Sequence, residues 1–357
     1  MTEVDYVTAN SPDVIVYVDA QGNVLYTSGA GQAAATPAAS SVAAVAEVAT
    51  PTAATAATTA PAYNVAPNTP ATSAVSAAVA PSSSSSSSSS GSISGVRGLS
   101  YSPYAGTYQS NDVGCKTQDQ VNADFQQIDS GTYNLVRIYG TDCNQVSNVL
   151  AAASAKSMKV MVGVYNITDL ANELNIITES ASKQWNNVHT VSIGNELVNA
   201  GTNSASDVVA AVNSARSTLR SSGFTGPVVA VDTFIAMENN PSLCQNSDYA
   251  AVNAHPFFDG SIDACDSGKW VVGQMQAVSA ACGGKDTMIT ETGWPWGGQS
   301  YNSAVPSPQN QKVAMETIAG NVTSNVIMFT AFNDMWKNPG YLSVEQSWGF
   351  YGNSAAS

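Results

Sequence analysis

The stretch "TVSIGNELV", Thr190 to Val198, runs apolar like a buried strand and then delivers Asn195 and Glu196. A second stretch, "TMITETGWPW", Thr287 to Trp296, does the same with Glu291 and sets aromatics behind it. Two carboxylates in unlike surroundings suit general acid chemistry at one and nucleophilic or base chemistry at the other. Glycoside hydrolysis uses such a pair, about 5–5.5 Å apart for retention and roughly 6.5–9.5 Å apart for inversion. One glutamate closing an apolar strand is as easily a solvated rim residue; two, each flanked by polar and aromatic groups, favour chemistry.

A third signal is Arg137, a cation inside the apolar run "NLVRIYG". Alternation along a strand turns its side chain inward with Leu135 and Tyr139, where it needs a carboxylate partner. If the partner is Glu291, that glutamate stays ionised as the nucleophile and Glu196 becomes the acid/base. Asp232 is the competing partner.

These groups must be held by strands whose ends converge. Eight candidates follow Ile93: "VRGLSYSPY", "NLVRIYG", "KVMVGVYN", "TVSIGNE", "PVVAVDTF", "YAAVNAHPFF", "TMITETGW" and "NVIMFTAFND". Helical patterns lie between them. Thr117 with Gln120 reads as a capping box ahead of Val121, Phe125 and Ile128, and Ser307–Pro308 reads as N-cap and first helical residue. Val208, Val212, Ala215 and Leu219 form one stripe that stops near Gly223. Eight strands separated by helices over some 260 residues predict an α/β fold, a (β/α)8 TIM barrel, with catalytic groups at the carboxyl ends of its strands.

Before the barrel the chain has a different character. Residues 30–92 are almost wholly Ala, Thr, Ser, Pro and Val, ending in "PSSSSSSSSSGS", which predicts a disordered, O-glycosylatable stalk. Residues 1–29 contain "PDVIVYVDAQGNVLYTS", which reads as a short β-hairpin. The barrel is assigned to residues 93–357. The start "MTEVDYVTAN" lacks the apolar core of a signal peptide and reads as the beginning of a processed or trimmed chain.

The chain has 357 residues with 26 acidic against 12 basic groups, and every Lys and Arg lies at or beyond Arg97. This excludes nucleic acid as a partner class, and the absence of an apolar run of about 18 residues excludes a membrane span. Five cysteines lack CxxC spacing and there are two histidines, His189 and His255, so no metal site is expected. On the strand map, Cys115 and Cys143 follow strands one and two, while Cys244 and Cys282 precede strands six and seven. Bridges Cys115–Cys143 and Cys244–Cys282 are expected, with Cys265 free; Cys244–Cys265 is the competing pairing. "NIT" at Asn166 and "NVT" at Asn321 are N-glycosylation sequons.

Tyr101, Tyr104, Tyr139, Tyr165, Phe257, Phe258, Trp294, Trp296 and Trp336 fall at or past strand ends, where flat rings can stack on pyranose faces. Asn195, Asn253, Asn333 and Asp334 are candidates for sugar hydroxyls. His255 ends strand six, where it can bond Glu291 or serve structurally; His189 begins strand four and reads as structural. Trp185 and Trp270 read as packing residues.

At "IGNEL", "TETGWPW" and "VRIYGTDC" the sequence resembles family 17 glycoside hydrolases, in particular their fungal cell-wall β-1,3-glucanase and glucanosyltransferase branch. The resemblance spans roughly residues 93–352, and the Ser/Thr-rich stalk is similar too. It implies action on β-1,3-glucan with retention and no cofactor; with the Ser/Thr-rich stalk, which reads as extracellular, the expectation is a secreted, wall-associated monomer. The resemblance further implies Glu196 as acid/base and Glu291 as nucleophile. Asn195 and His255 are placed beside the reacting sugar, the histidine where many relatives have tyrosine, and Lys337 in "FTAFNDMWK" fits the pattern. The expected substrate contacts are thus Tyr101, Arg137, Tyr139, Asn195, His255, Phe258, Trp294, Asn333 and Lys337. A glucan-binding mannoprotein or adhesin with little turnover is the alternative, as is a barrel glycosidase for another polysaccharide.

Overall fold

The computed structural model describes residues 95–354 and, further upstream, the backbone of Ile15–Val18 and Val24–Ser28. The two upstream segments pair antiparallel, Ile15 opposite Ser28, with one irregularity between Tyr17 and Val18. The stretch read as a stalk lies outside the described residues.

Strands β1 (Arg97–Ser100), β2 (Leu135–Arg137), β3 (Lys159–Val164), β4 (Val188–Ile193), β5 (Val228–Thr233), β6 (Ala250–Asn253), β7 (Thr287–Thr292) and β8 (Val326–Met328) form a closed parallel barrel. Neighbours in the barrel are neighbours in the chain, and β8 closes onto β1 through Ile327 opposite Gly98. The sequence periodicity explains the two-layer core. On β5, Val229 and Val231 join Leu135, Met161, Ala251, Met288 and Ile327 in a cluster built from several strands, which is the barrel interior. The alternate residues Val228 and Ala230 pack outward with helical side chains such as Val212, Ala215 and Leu219. At Gly98 a Cβ would come within 2.9 Å of Leu135, so the interior there is already full.

The helices are α1 (Gln118–Gln127), α2 (Gln145–Ala155), α3 (Leu170–Ala181), α4 (Ala205–Ser221), α5 (Phe234–Asn239), α6 (Ser242–Gln245), α7 (Ser267–Ala281) and α8 (Pro308–Asn321). Thr117 and Gln120 form the capping box of α1, and Ser204 with Asp207 forms another on α4. Ser307 caps α8, with Pro308 as its first residue. Among the described residues no α-helix follows β8. The C-terminal segment packs Phe350 and Tyr351 against the core, and the Ser354 hydroxyl donates to Asp124.

The runs "NLVRIYG" and "NVIMFTAFND" yield only three ladder residues each. Past those residues the backbone still bonds its neighbours, Ile138 N–H to the Met161 carbonyl and Phe329 N–H to the Thr292 carbonyl, and then continues into the barrel mouth. Cys115–Cys143 and Cys244–Cys282 are disulfide-bonded, and Cys265 is free and exposed. No helix among the described residues is long and apolar enough to cross a membrane.

Candidate active site

Glu196 is presented by a sharp turn. After β4 ends at Ile193, Gly194 takes φ +74°, and Glu196 itself takes φ +56°. Glycine is needed at Gly194 for its dihedral, and a Cβ there would also have to push the Leu197 side chain aside, 2.6 Å away. A left-handed glutamate costs about 1–3 kcal/mol and persists only where its surroundings hold it. Here the Glu196 N–H donates to the Val231 carbonyl, and the Asp232 carboxylate accepts the N–H groups of Val198 at 2.9 Å and Asn199 at 3.2 Å. The end of β5 thus clasps the turn that carries Glu196.

Glu291 is the penultimate residue of β7 and only 6% exposed. A shift in the β6–β7 register sets Asn253 opposite it. Arg137 reaches up from β2, and its Nη1 donates to Glu291 Oε1 at 2.9 Å and to Asn253 Oδ1 at 3.1 Å. Its Nη2 donates to Asn195 Oδ1 at 2.7 Å. Asn253 Nδ2 in turn donates to Glu196 Oε1 at 2.8 Å, so Arg137 and Asn253 join the two carboxyl groups in one bonded chain. Asp232, the competing partner for Arg137, is engaged with backbone N–H groups instead. On the other side of Glu291, His255 Nε2 lies 3.3 Å from Oε2.

These surroundings separate the two glutamates electrostatically. Burial, followed by the negative charge of Glu291, pushes the Glu196 carboxyl up to about 7. Burial presses Glu291 upward as well, but the Arg137 guanidinium and His255 outweigh it and hold Glu291 below the usual carboxylate range. A neutral carboxylic acid and a carboxylate therefore coexist near neutral pH, which is the division of labour that acid-assisted displacement requires.

Several other expected site residues also lie at the mouth. The Tyr139 ring lies under Arg137, 4.5 Å from the guanidinium carbon. Phe258 is exposed beside His255, with ring centroids 6.1 Å apart. Lys337 bonds Asp334 at 3.0 Å and sits over the Phe329 ring. Asn195 has one side-chain oxygen shared between Arg137 and Asn253.

Three expected substrate contacts are placed elsewhere. Tyr101 is 1% exposed, packs on Phe125 and Phe332, and donates its hydroxyl to Asp124 at 2.7 Å; it belongs to the packing behind β1. Trp294 is fully buried beside Phe257, with its indole N–H on the Val305 carbonyl, so no sugar reaches it. Asn333 spends its oxygen on Gly349 N–H and Trp296 Nε1 and its amine on Asn353, so it orients Trp296 rather than a ligand. Position past a strand end does not distinguish a ring that faces the cavity from one that turns into the packing.

Sequence reasoning passed over Trp348, whose buried ring lies 5.0 Å from His255 and 5.5 Å from Phe329. Nothing local marks it, since it arrives from the C-terminal segment. Asn166 is exposed on the turn after β3, its side-chain oxygen accepting from Thr168; Asn321 ends α8 and is exposed. His189 is at the amino-terminal end of β4, and burial lowers its imidazole to about 4.

A sequence profile of the BtgE/BtgC glycoside hydrolase domain matches residues 98–349. The chain is 46% identical over 259 residues to the "Cell surface mannoprotein MP65" of Candida albicans, covering 72% of this chain and 66% of that one. It is 45% identical over 255 residues to the "Probable family 17 glucosidase SCW10" of Saccharomyces cerevisiae, covering 71% and 64%. The matched region therefore spans just under two thirds of these curated relatives. Among solved structures, a family 17 β-1,3-glucanosyltransferase of Rhizomucor miehei superposes with a TM-score of 0.60 at 22% identity, over 74% of this chain and 96% of that one. At that identity the likeness bears on the fold alone.

Proposed function

The chain belongs to the BtgE/BtgC glycoside hydrolases of family 17, and from this we propose that it is a retaining glycosidase or transglycosylase acting on cell-wall β-1,3-glucan. The observation that carries this reading is the pair of glutamates with opposed proton affinities, tied together by Arg137 and Asn253. In the first step the Glu291 carboxylate attacks the anomeric carbon while Glu196 gives its proton to the departing glycosidic oxygen. A glycosyl ester forms on Glu291 as the glycosidic bond breaks. Esterification removes the Glu291 charge, which is one cause of the raised Glu196 affinity, so the ionised Glu196 becomes better matched to its next role. In the second step it takes a proton from water or from a sugar hydroxyl, whose oxygen attacks the anomeric carbon and releases Glu291.

Arg137 and His255 keep the nucleophile ionised, and Tyr139, Asn195, Phe258 and Lys337 are assigned to the substrate. The chemistry needs no cofactor. The proposed organisation is an N-terminal segment at 1–29, an O-glycosylated stalk at 30–92 and a catalytic barrel at 93–357, acting as a secreted, wall-associated monomer. Asn166 and Asn321 are its proposed N-glycan sites.

Mass spectrometry of products from a defined linear β-1,3-glucose oligomer tests the reading. Shorter products alone establish hydrolysis, and products longer than the starting oligomer establish transfer. Glu291→Gln should abolish both. The likeness to a protein named as a cell surface mannoprotein favours a second reading, glucan binding with little turnover. A wild-type chain that binds the oligomer and leaves it intact would select that reading.

A further inference from the structure

The rim above β1, β2 and β8 carries an aromatic surface that the two glutamates do not use. After β1 the chain forms a small hairpin, Tyr104–Ala105 pairing antiparallel with Gly114–Cys115. The Tyr104 ring lies 4.4 Å from Trp336 at an interplanar angle of 44°, and both rings remain half-buried. Two constraints act on this hairpin. The Tyr104 hydroxyl donates to the Asp142 carboxylate at 2.9 Å, and the residue after Asp142 is Cys143, which is bonded to Cys115 of the hairpin itself. The loops after β1 and β2 are therefore joined twice, once covalently and once through Tyr104. Trp336 is held from the β8 side by its indole N–H on Asp334 at 3.0 Å.

A row of contacts leads from this pair to the nucleophile. Lys337 lies 5.6 Å from the Trp336 ring and 4.9 Å from Phe329; Phe329 is 5.4 Å from His255, and His255 bonds Glu291. The pair is thus displaced from the reacting bond but shares its mouth, where a neighbouring unit of a bound chain would pass. Its polar atoms are already engaged, so what the two tilted, half-buried rings leave exposed is apolar ring surface. That surface matches the C–H face of a pyranose, whose burial and stacking release water from both. Asp142, Asp334 and Glu345 surround it against Lys337, which disfavours an anionic ligand and leaves a neutral sugar.

We propose that Tyr104 and Trp336 form a stacking platform for a neutral sugar unit outside the reacting subsite, held in place by the Cys115–Cys143 bridge. The identity of that sugar as part of a β-1,3-glucan rests on the function proposed above. The platform makes affinity depend on chain length and makes that dependence sensitive to reduction of the bridge.

The test uses the full chain carrying Glu291→Gln, so that sugars bind without turnover. Calorimetry gives its Kd for linear trimers and heptamers of β-1,3-linked glucose, β-1,4-linked glucose and β-1,4-linked mannose. Adding Trp336→Ala should weaken heptamer binding by roughly 3- to 10-fold and trimer binding by less. Trp336→Tyr should restore most of the loss, and Cys115→Ser with Cys143→Ser should reproduce part of it. Equal losses for both lengths, or none, overturn the platform and leave the glucan reading standing. A length-dependent loss seen only with a β-1,4 oligomer sustains the platform and overturns the β-1,3-glucan reading. Failure of the parent to bind any oligomer overturns both.

Discussion

Two of the buried ion pairs among the described residues are built to different ends. Lys116 and Asp124 lie 2.7 Å apart behind β1 with almost no exposure. Asp124 also accepts from Tyr101 and Ser354, while Lys116 is covered by the Tyr101 and Phe332 rings. Each charge there is compensated by fixed protein groups, as a pair that joins the C-terminal segment to α1 must be. Arg137 and Glu291 lie 2.9 Å apart at the mouth, and their surroundings are left unfinished. Among the described residues Arg137 Nε and His255 Nδ1 are buried without a hydrogen-bond partner. Structure is served by closing such a network. A site that must accept a ligand and a changing charge keeps unspent polar capacity.

Cutting each pair gives the largest contrast. Glu291→Gln should lower turnover of a β-1,3-glucan oligomer by roughly 10³-fold or more and, because the amide oxygen still accepts from Arg137, should lower the melting temperature less than Asp124→Ala does. Asp124→Ala should instead strand Lys116 and destabilise by about 3–5 kcal/mol, read as a lowered denaturant midpoint, while turnover per folded molecule is retained. Equal stability losses in the two variants would erase the distinction between the pairs.

The pH dependence sharpens it next. Activity should fall on the alkaline side near pH 7 as Glu196 loses its proton, and on the acid side below the usual carboxylate range as Glu291 gains one. The stability signs are opposite. Glu196 binds its proton more tightly folded than unfolded, so its contribution is complete below the ordinary carboxyl pKa and is lost as pH rises through about 7. Glu196→Gln should therefore raise the melting temperature at pH 8 more than at pH 4. Glu291 contributes above the ordinary carboxyl pKa and loses that contribution as pH falls through its lowered folded value.

Smaller effects test the supports. His255→Phe removes one partner of Glu291 and should cost about tenfold in kcat/KM while moving the acid limb upward; an unmoved limb would assign His255 to packing. Asp232→Asn weakens the clasp on the Glu196 turn and should cost about 1 kcal/mol, near fivefold in kcat, recovered in part at lower pH.

The strands, the helix starts and the two glutamates were legible because each is local. Alternation marks the strands, Thr117 and Ser307 announce their helices, and a carboxylate after an apolar run stands out in one dimension. The aromatic lining was legible only as a set. Tyr101, Trp294 and Trp336 have the same standing in the sequence, yet two are sealed into packing and one remains half-buried at the rim. Trp348 carries no local mark at all, because its partners His255 and Phe329 come from the segments that follow β6 and β8.

The amino-acid sequence alone therefore determined the barrel, its order and which carboxylates end its strands, since these follow from periodicity and near-neighbour sterics. Tertiary structure decided which glutamate is neutral and which is charged. That difference arises from burial and the Glu291 charge acting on Glu196, and from Arg137 and His255 acting on Glu291, groups brought together from separate strands; electrostatic energy depends on separation in space rather than along the backbone.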